Sequence, residues 1–141
     1  MTRPQQLAGP PNHAWLSDHG VIPVNYGQGM ADRIRDAAGG HPVDAFIDTF
    51  GADYVDLALE LGVKDDRTDT IANFEAVATR GVKGDGNAAG ASAAVLAELA
   101  DQIASGRLEL PIAATYPLAR VRDAFSDLER RHTRGKIVLI P

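Results

Sequence analysis

Three short stretches hold residues whose types and spacing could do chemistry. "GQGMAD", residues 27–32, and "GDGNAA", residues 84–89, each set two glycines ahead of a helical pattern. Such spacing lets backbone N–H groups cradle a pyrophosphate at a helix N-terminus. In the first, Asp32 stands where a third small residue belongs, and its carboxylate would repel the phosphates. The second fits the G-x-G-x-x-A spacing but follows "ATRGVK", a poor buried strand. As ordinary loops and caps, both need no ligand. The third stretch, "VDAFIDTFGADYVDLALEL" at 43–61, reads as an apolar run, a glycine turn and a helix. Gly51 would let backbone come close to a ligand and Thr49 offers a hydroxyl. The plain alternative is that Gly51 only makes a tight strand-to-helix turn.

Other chemistries find few residues to carry them. The chain has no cysteine, which excludes disulfides, thiolate nucleophiles and cysteine metal sites together. Its histidines, His13, His19, His41 and His132, have no metal-ligand spacing, so no metal is expected. No G-x-S-x-G elbow or P-loop occurs. Asp65 and Asp66 fall in a polar loop, and no residue stands out as a general acid or base.

The elements that must position these residues alternate between strand and helix. "NHAWLSDHG" suggests a short helix capped by Asn12 and stopped at Gly20, and "VIPV" a strand whose Pro23 points to an edge or irregular end. Met30, Ile34 and Ala37 share one face of the next helix. Then come the strand "VDAFID", a helix to Leu61, a short strand and short helix in "RTDTIANFEAVATRG", and a helix carrying Val95, Leu96, Leu99 and Ile103. "LELPIAATY" is extended. Val121, Ala124, Phe125 and Leu128 recur at i, i+3, i+4, i+7 in the last helix. Pro117 suits its first turn, Arg130, Arg131 and His132 its negative end, and "GKIVLIP" closes as a strand. This alternation implies an α/β fold, a mostly parallel sheet with helices on both faces, whose ligands bind beyond the carboxyl ends of the strands.

Composition bounds the rest. With 141 residues, 45% of them apolar, the chain amounts to one domain. A net charge of -5 without a basic stripe argues against nucleic acid or an anionic membrane as main partner. No apolar stretch approaches the about 20 residues that span a bilayer. "MTRPQQLAGPPNH" lacks the apolar core of a secretory signal, so a cytoplasmic location is expected.

The run from "NHAWLSDHGVIPVNYGQGMADRIRDAAGGHPVDAFIDTFG" through "RTDTIANFEAVATRGVKGDGNA" to "LELPIAATYPLARVRDAFSDLERRHTRGKIVLIP" resembles the C-terminal portion of the medium-chain dehydrogenase/reductase superfamily. It looks most like the zinc-independent, quinone-oxidoreductase-like branch, which uses NADPH. The ending "HTRGKIVL" and the "VDAFIDTFG" strand and turn are its most specific points. The resemblance implies a single partial Rossmann-like nucleotide-binding domain over 1–141. That sheet is doubly wound and parallel, lacks the first strand and its glycine-rich turn, and ends in a strand-helix-strand segment. The barrel-like N-terminal domain of the family is likewise expected to be absent. Without the central strand of the 3-2-1-4-5-6 order, strands 2 and 3 cannot pair directly with strands 4 to 6. A homodimer, or a partner segment supplying the strand, is the expected remedy for the open edges.

Residue by residue, the resemblance implies a partial NADP(H) shell. Gly9 and His13 fall near the adenosine 2′-phosphate loop, where prolines replace the family's basic or hydroxyl residues. Tyr26 matches a tyrosine on the adenosine phosphate side, and Thr49, Phe50 and Gly51 match the turn beside the adenosine ribose. Thr70 and Ile71 match the strand end near the nicotinamide, and Lys136 a C-terminal lysine in reach of the cofactor. The implied activity is that of the cofactor-binding half of an NADPH-dependent oxidoreductase, reducing a quinone or enone-like small-molecule carbonyl by hydride transfer. The alternative is a noncatalytic remnant or oligomerisation module without cofactor, since in the family the strand near "VATRGVKGDGN" commonly lies at the subunit contact.

Overall fold

The computed structural model describes residues 3–86, 90–131 and 133–141. Asn87, Ala88 and Ala89 of the second glycine cluster, and His132, lie outside the described residues. The chain separates into two compact units, Met1–Ala91 and Ser92–Pro141.

In the first unit the order is β1 (Gln5–Leu7), α1 (His13–Asp18), β2 (Ile22–Val24), α2 (Met30–Ala37), β3 (Phe46–Asp48), α3 (Tyr54–Glu60), β4 (Thr68–Thr70) and α4 (Phe74–Arg80). β1 pairs in parallel with β2, Leu7 opposite Val24, and β3 in parallel with β4, Asp48 opposite Thr70. Each pair is its own two-stranded sheet. The strands are short because apolar content is short: the expected run "VDAFID" enters the ladder only at Phe46.

Helices join the two sheets. Val24, Ala31, Ile34 and Leu57 are buried together, and Leu7, Met30, Phe46 and Tyr54 pack against them. Each large aliphatic side chain in such a cluster contributes about 1.5–3 kcal/mol. Met30, Ile34 and Ala37 do share the inward face of α2, as their spacing predicts. A second cluster, Val55, Ala76 and Val82, seats α4 on α3. "ATRGVK" is no strand: it is the end of α4, a left-handed Gly81, and a single parallel bridge from Lys83 to Asp69.

The second unit holds α5 (Ala93–Ala104), β5 (Ile112–Pro117), α6 (Val121–Glu129) and β6 (Lys136–Ile140). β5 and β6 pair in parallel across the α6 crossover, the expected strand-helix-strand segment. Pro117 closes β5 and precedes a 3-10 turn, so it stands before the last helix and not in its first turn. Arg130 caps that helix, as its positive charge suits. Ser92 caps α5 by accepting from the Val95 N–H, whereas Asn12 makes no such side-chain bond at α1. No residue of α5 is buried, although Val95, Leu96, Leu99 and Ile103 form the apolar face that the sequence spacing predicts. The architecture is thus a partial Rossmann-like α/β fold of parallel strand pairs.

Candidate functional site

All the candidate residues of the first unit lie at or just beyond the carboxyl ends of its strands. Gly9 and His13 follow β1, Tyr26 follows β2, Thr49, Phe50 and Gly51 follow β3, and Thr70 with Ile71 ends β4. Parallel α/β sheets place ligands there because helix N-termini and loop N–H groups gather at that edge. Lys136 opens β6 in the second unit, exposed, its backbone N–H bonded to the Pro111 carbonyl.

Asp48 holds the β3 and β4 ends together. The aspartate is only 1% exposed. One carboxylate oxygen accepts the Phe50 and Gly51 N–H groups at 2.9 and 2.8 Å, and the other accepts the Thr70 hydroxyl at 2.7 Å. Thr70 in turn accepts the N–H groups of Ala72 and Asn73. Thr49–Gly51 and Thr70–Ile71, separate in sequence, are therefore one hydrogen-bonded unit. The turn is a demanding one: Gly51 has φ +91° and Ala52 φ +52°. A Cβ on Gly51 would stand 3.2 Å from that of Ala72, so its glycine serves turn conformation and close packing. The Phe50 and Gly51 N–H groups face Asp48, so the turn offers a ligand the Phe50 ring, 69% exposed, and not those two donors.

A similar arrangement exists on the β1–β2 side. A Cβ on Gly9 would meet the Tyr26 hydroxyl at 3.4 Å and its ring at 3.6 Å, so Gly9 is the floor under that tyrosine. His13 contacts the Ala8 carbonyl through Nε2 at 3.0 Å, tying the loop "GPPNH" to β1.

Tyr54, in the first turn of α3, connects the two sides. Its ring lies 5.3 Å from that of Phe50 and packs on the cluster containing Val24. Its phenol is held above the usual tyrosine value, first by burial, then by the negative charge of Asp48, then by Tyr26. Neither the Tyr26 nor the Tyr54 hydroxyl has a hydrogen-bond partner among the described residues. The phenols of Tyr26 and Tyr54, the Phe50 ring and the half-exposed Ile71 thus line the strand ends. Such a surface suits flat rings and sugar hydroxyls.

Sequence reasoning missed Asp48 and Tyr54. Asp48 carried one usable signal: an aspartate two and three residues ahead of the backbone of a Phe-Gly turn is the pattern of a side chain that accepts from its own turn. Tyr54 reads as one more apolar position of α3 and carried none. Among the described residues no group of three or more His, Cys, Asp or Glu is placed to hold a metal ion. No helix among them is long and apolar enough to cross a membrane.

A family model described as zinc-binding dehydrogenase matches residues 18–139. Among solved structures, the chain is similar to a candidate alcohol dehydrogenase from Sinorhizobium meliloti 1021, with 23% sequence identity and a TM-score of 0.77. The match covers 99% of this chain and 41% of that one, so the chain spans less than half the length of its structural relative. At that identity the likeness speaks to the fold. No curated protein matches the chain.

Proposed function

The chain belongs to the zinc-binding dehydrogenase family, and from that premise we propose that it forms the cofactor-binding half of an oxidoreductase that takes NADP(H) and acts on a quinone or enone-like carbonyl. The observation that carries the reading is the convergence of Tyr26, Phe50, Tyr54 and Ile71 at the carboxyl ends of the strands. These residues would hold the dinucleotide, rings against its flat groups and phenols toward its polar ones. The bound cofactor supplies the hydride; the protein binds, orients and excludes water.

The proposal includes a partner. Among the described residues β1 and β3 each pair on one side only, and a strand from a second copy or from another segment would satisfy the backbone groups on their other side. A calorimetric titration of the folded chain with NADPH, and in parallel NADH, tests the cofactor reading. Saturable binding with NADPH preferred is the expected result; a folded chain that binds neither overturns it. A second reading, an assembly module without cofactor, draws on the exposed apolar face of α5. A strictly monomeric species by sedimentation would count against that one.

A further inference from the structure

The loop between β2 and α2, which contains the first glycine cluster, is wrapped around one side chain. Arg33, in the first turn of α2, turns its guanidinium back over the loop. Nε donates to the Asn25 carbonyl at 3.0 Å, and Nη1 to that of Gln28 at 2.8 Å. Nη2 donates to Asn25, Tyr26 and Gly27 at 2.9, 3.2 and 3.2 Å. Four consecutive carbonyls therefore face one cation. In extended chain successive carbonyls point to opposite sides, so this convergence needs an abrupt change of backbone direction. Gly27 and Gly29 supply it, with φ of +95° and +75°, and a Cβ on Gly29 would stand 3.4 Å from Nη1. The two glycines that imitate a pyrophosphate fingerprint in the sequence have this other task.

We propose that Arg33 is a positioning residue: it fixes the 25–28 loop so that the Tyr26 ring stands on Gly9, and through Tyr26 it sets the affinity for the nucleotide. The inference rests on the cofactor reading above. Arginine suits the task because its planar fork carries five N–H donors in a fixed geometry. A lysine ammonium offers three donors from one point and cannot serve carbonyls spread across the loop.

The test compares Arg33→Lys, Arg33→Met and Tyr26→Ala with the parent chain. One readout is the proton–proton Overhauser contact between the Tyr26 ring and Gly9, which needs no ligand. The other is calorimetric affinity for NADPH. Both Arg33 variants are expected to lose the ring contact and to bind NADPH at least about tenfold more weakly, while methyl signals of Val24, Ile34 and Leu57 stay in place. Arg33→Lys keeps stem and charge, guarding against a variant that merely unfolds. Arg33→Met combined with Tyr26→Ala should bind no more weakly than Tyr26→Ala alone, a result that a general loosening would not give. Retention of the ring contact with parental affinity overturns the proposal and leaves the cofactor reading standing. Additive losses in the double variant overturn the route through Tyr26. A parent chain without affinity for NADPH overturns the cofactor reading, and the ring contact then decides alone whether Arg33 places Tyr26.

Discussion

The Asp48 carboxylate and the Thr70 hydroxyl lie 2.7 Å apart at the ends of neighbouring parallel strands, both of them fully enclosed. Their bond is the point at which two loops become one surface. Asp48→Ala would strand the Thr70 hydroxyl and the Gly51 N–H in the interior and take the acceptor from the part-buried Phe50 N–H. A buried group left without its partner costs about 1–3 kcal/mol. The variant should therefore lose at least about 3 kcal/mol in urea unfolding, and Thr70→Val about 1–2 kcal/mol. Equal, small losses from both would show that the clasp is not what holds the turn.

Phe50→Ala separates binding from folding. The ring is largely exposed and contacts Tyr54, so its removal should change stability by less than about 1 kcal/mol. The same change should weaken NADPH binding several-fold in a calorimetric titration. Unaltered affinity would remove Phe50 from the proposed contact surface.

Glycines that bend the chain should differ in cost. Gly135 has φ +102°, and a Cβ there would overlap the Pro111 carbonyl, coming within 2.7 Å of its carbon. At Gly51 the nearest neighbour is the Ala72 Cβ at 3.2 Å, a tight contact without overlap. Left-handed strain alone costs about 1–2 kcal/mol. Gly51→Ala should stay near that figure, whereas Gly135→Ala should break the β5–β6 ladder. Amide exchange read separately at Ile137–Leu139 and at Ile47–Asp48 distinguishes the two.

Alkaline pH should destabilise both units through their tyrosines. Tyr54 is raised by burial first, and Tyr116 first by its hydrogen bond to Asp127. A phenol whose folded pKa exceeds its unfolded value near about 10 adds stability that is complete below that pH. The contribution is lost as pH rises through the folded value, because the unfolded chain gives up its proton first. Thermal midpoints should therefore fall above about pH 10. Tyr54→Phe and Tyr116→Phe should each flatten that decline, and an unchanged slope would contradict the assignment.

What the sequence disclosed follows from which signals are local. Met30, Ile34 and Ala37 repeat at helical spacing, so α2 and its inward face were legible. The β3 turn was legible from "FIDTFG", yet its organising residue was not, since Asp48 reads as a solvated charge until Thr70 is seen beside it. Two other expectations were altered by longer-range facts. Pro117 was assigned to a helix turn by propensity, but β6 recruits it into β5. "GQGMAD" reads as a phosphate cradle or as an ordinary loop and cap, since nothing in the spacing shows that Arg33 folds back on it. The apolar stripe of α5 is legible from its spacing, but spacing alone does not say what lies opposite.

The junction between the β1–β2 and β3–β4 sheets has a mechanical consequence. Hydrogen-bonded strands can shift only by whole residues, because each step breaks every bond in the ladder. Val24, Ile34 and Leu57 join the sheets through contacts that have no preferred direction. A seam of that kind resists being pulled open yet has no notches against fine sliding. A molecule touching Tyr26 on one side and Phe50 on the other would act as a gauge block, setting a spacing that the protein itself leaves ungraduated.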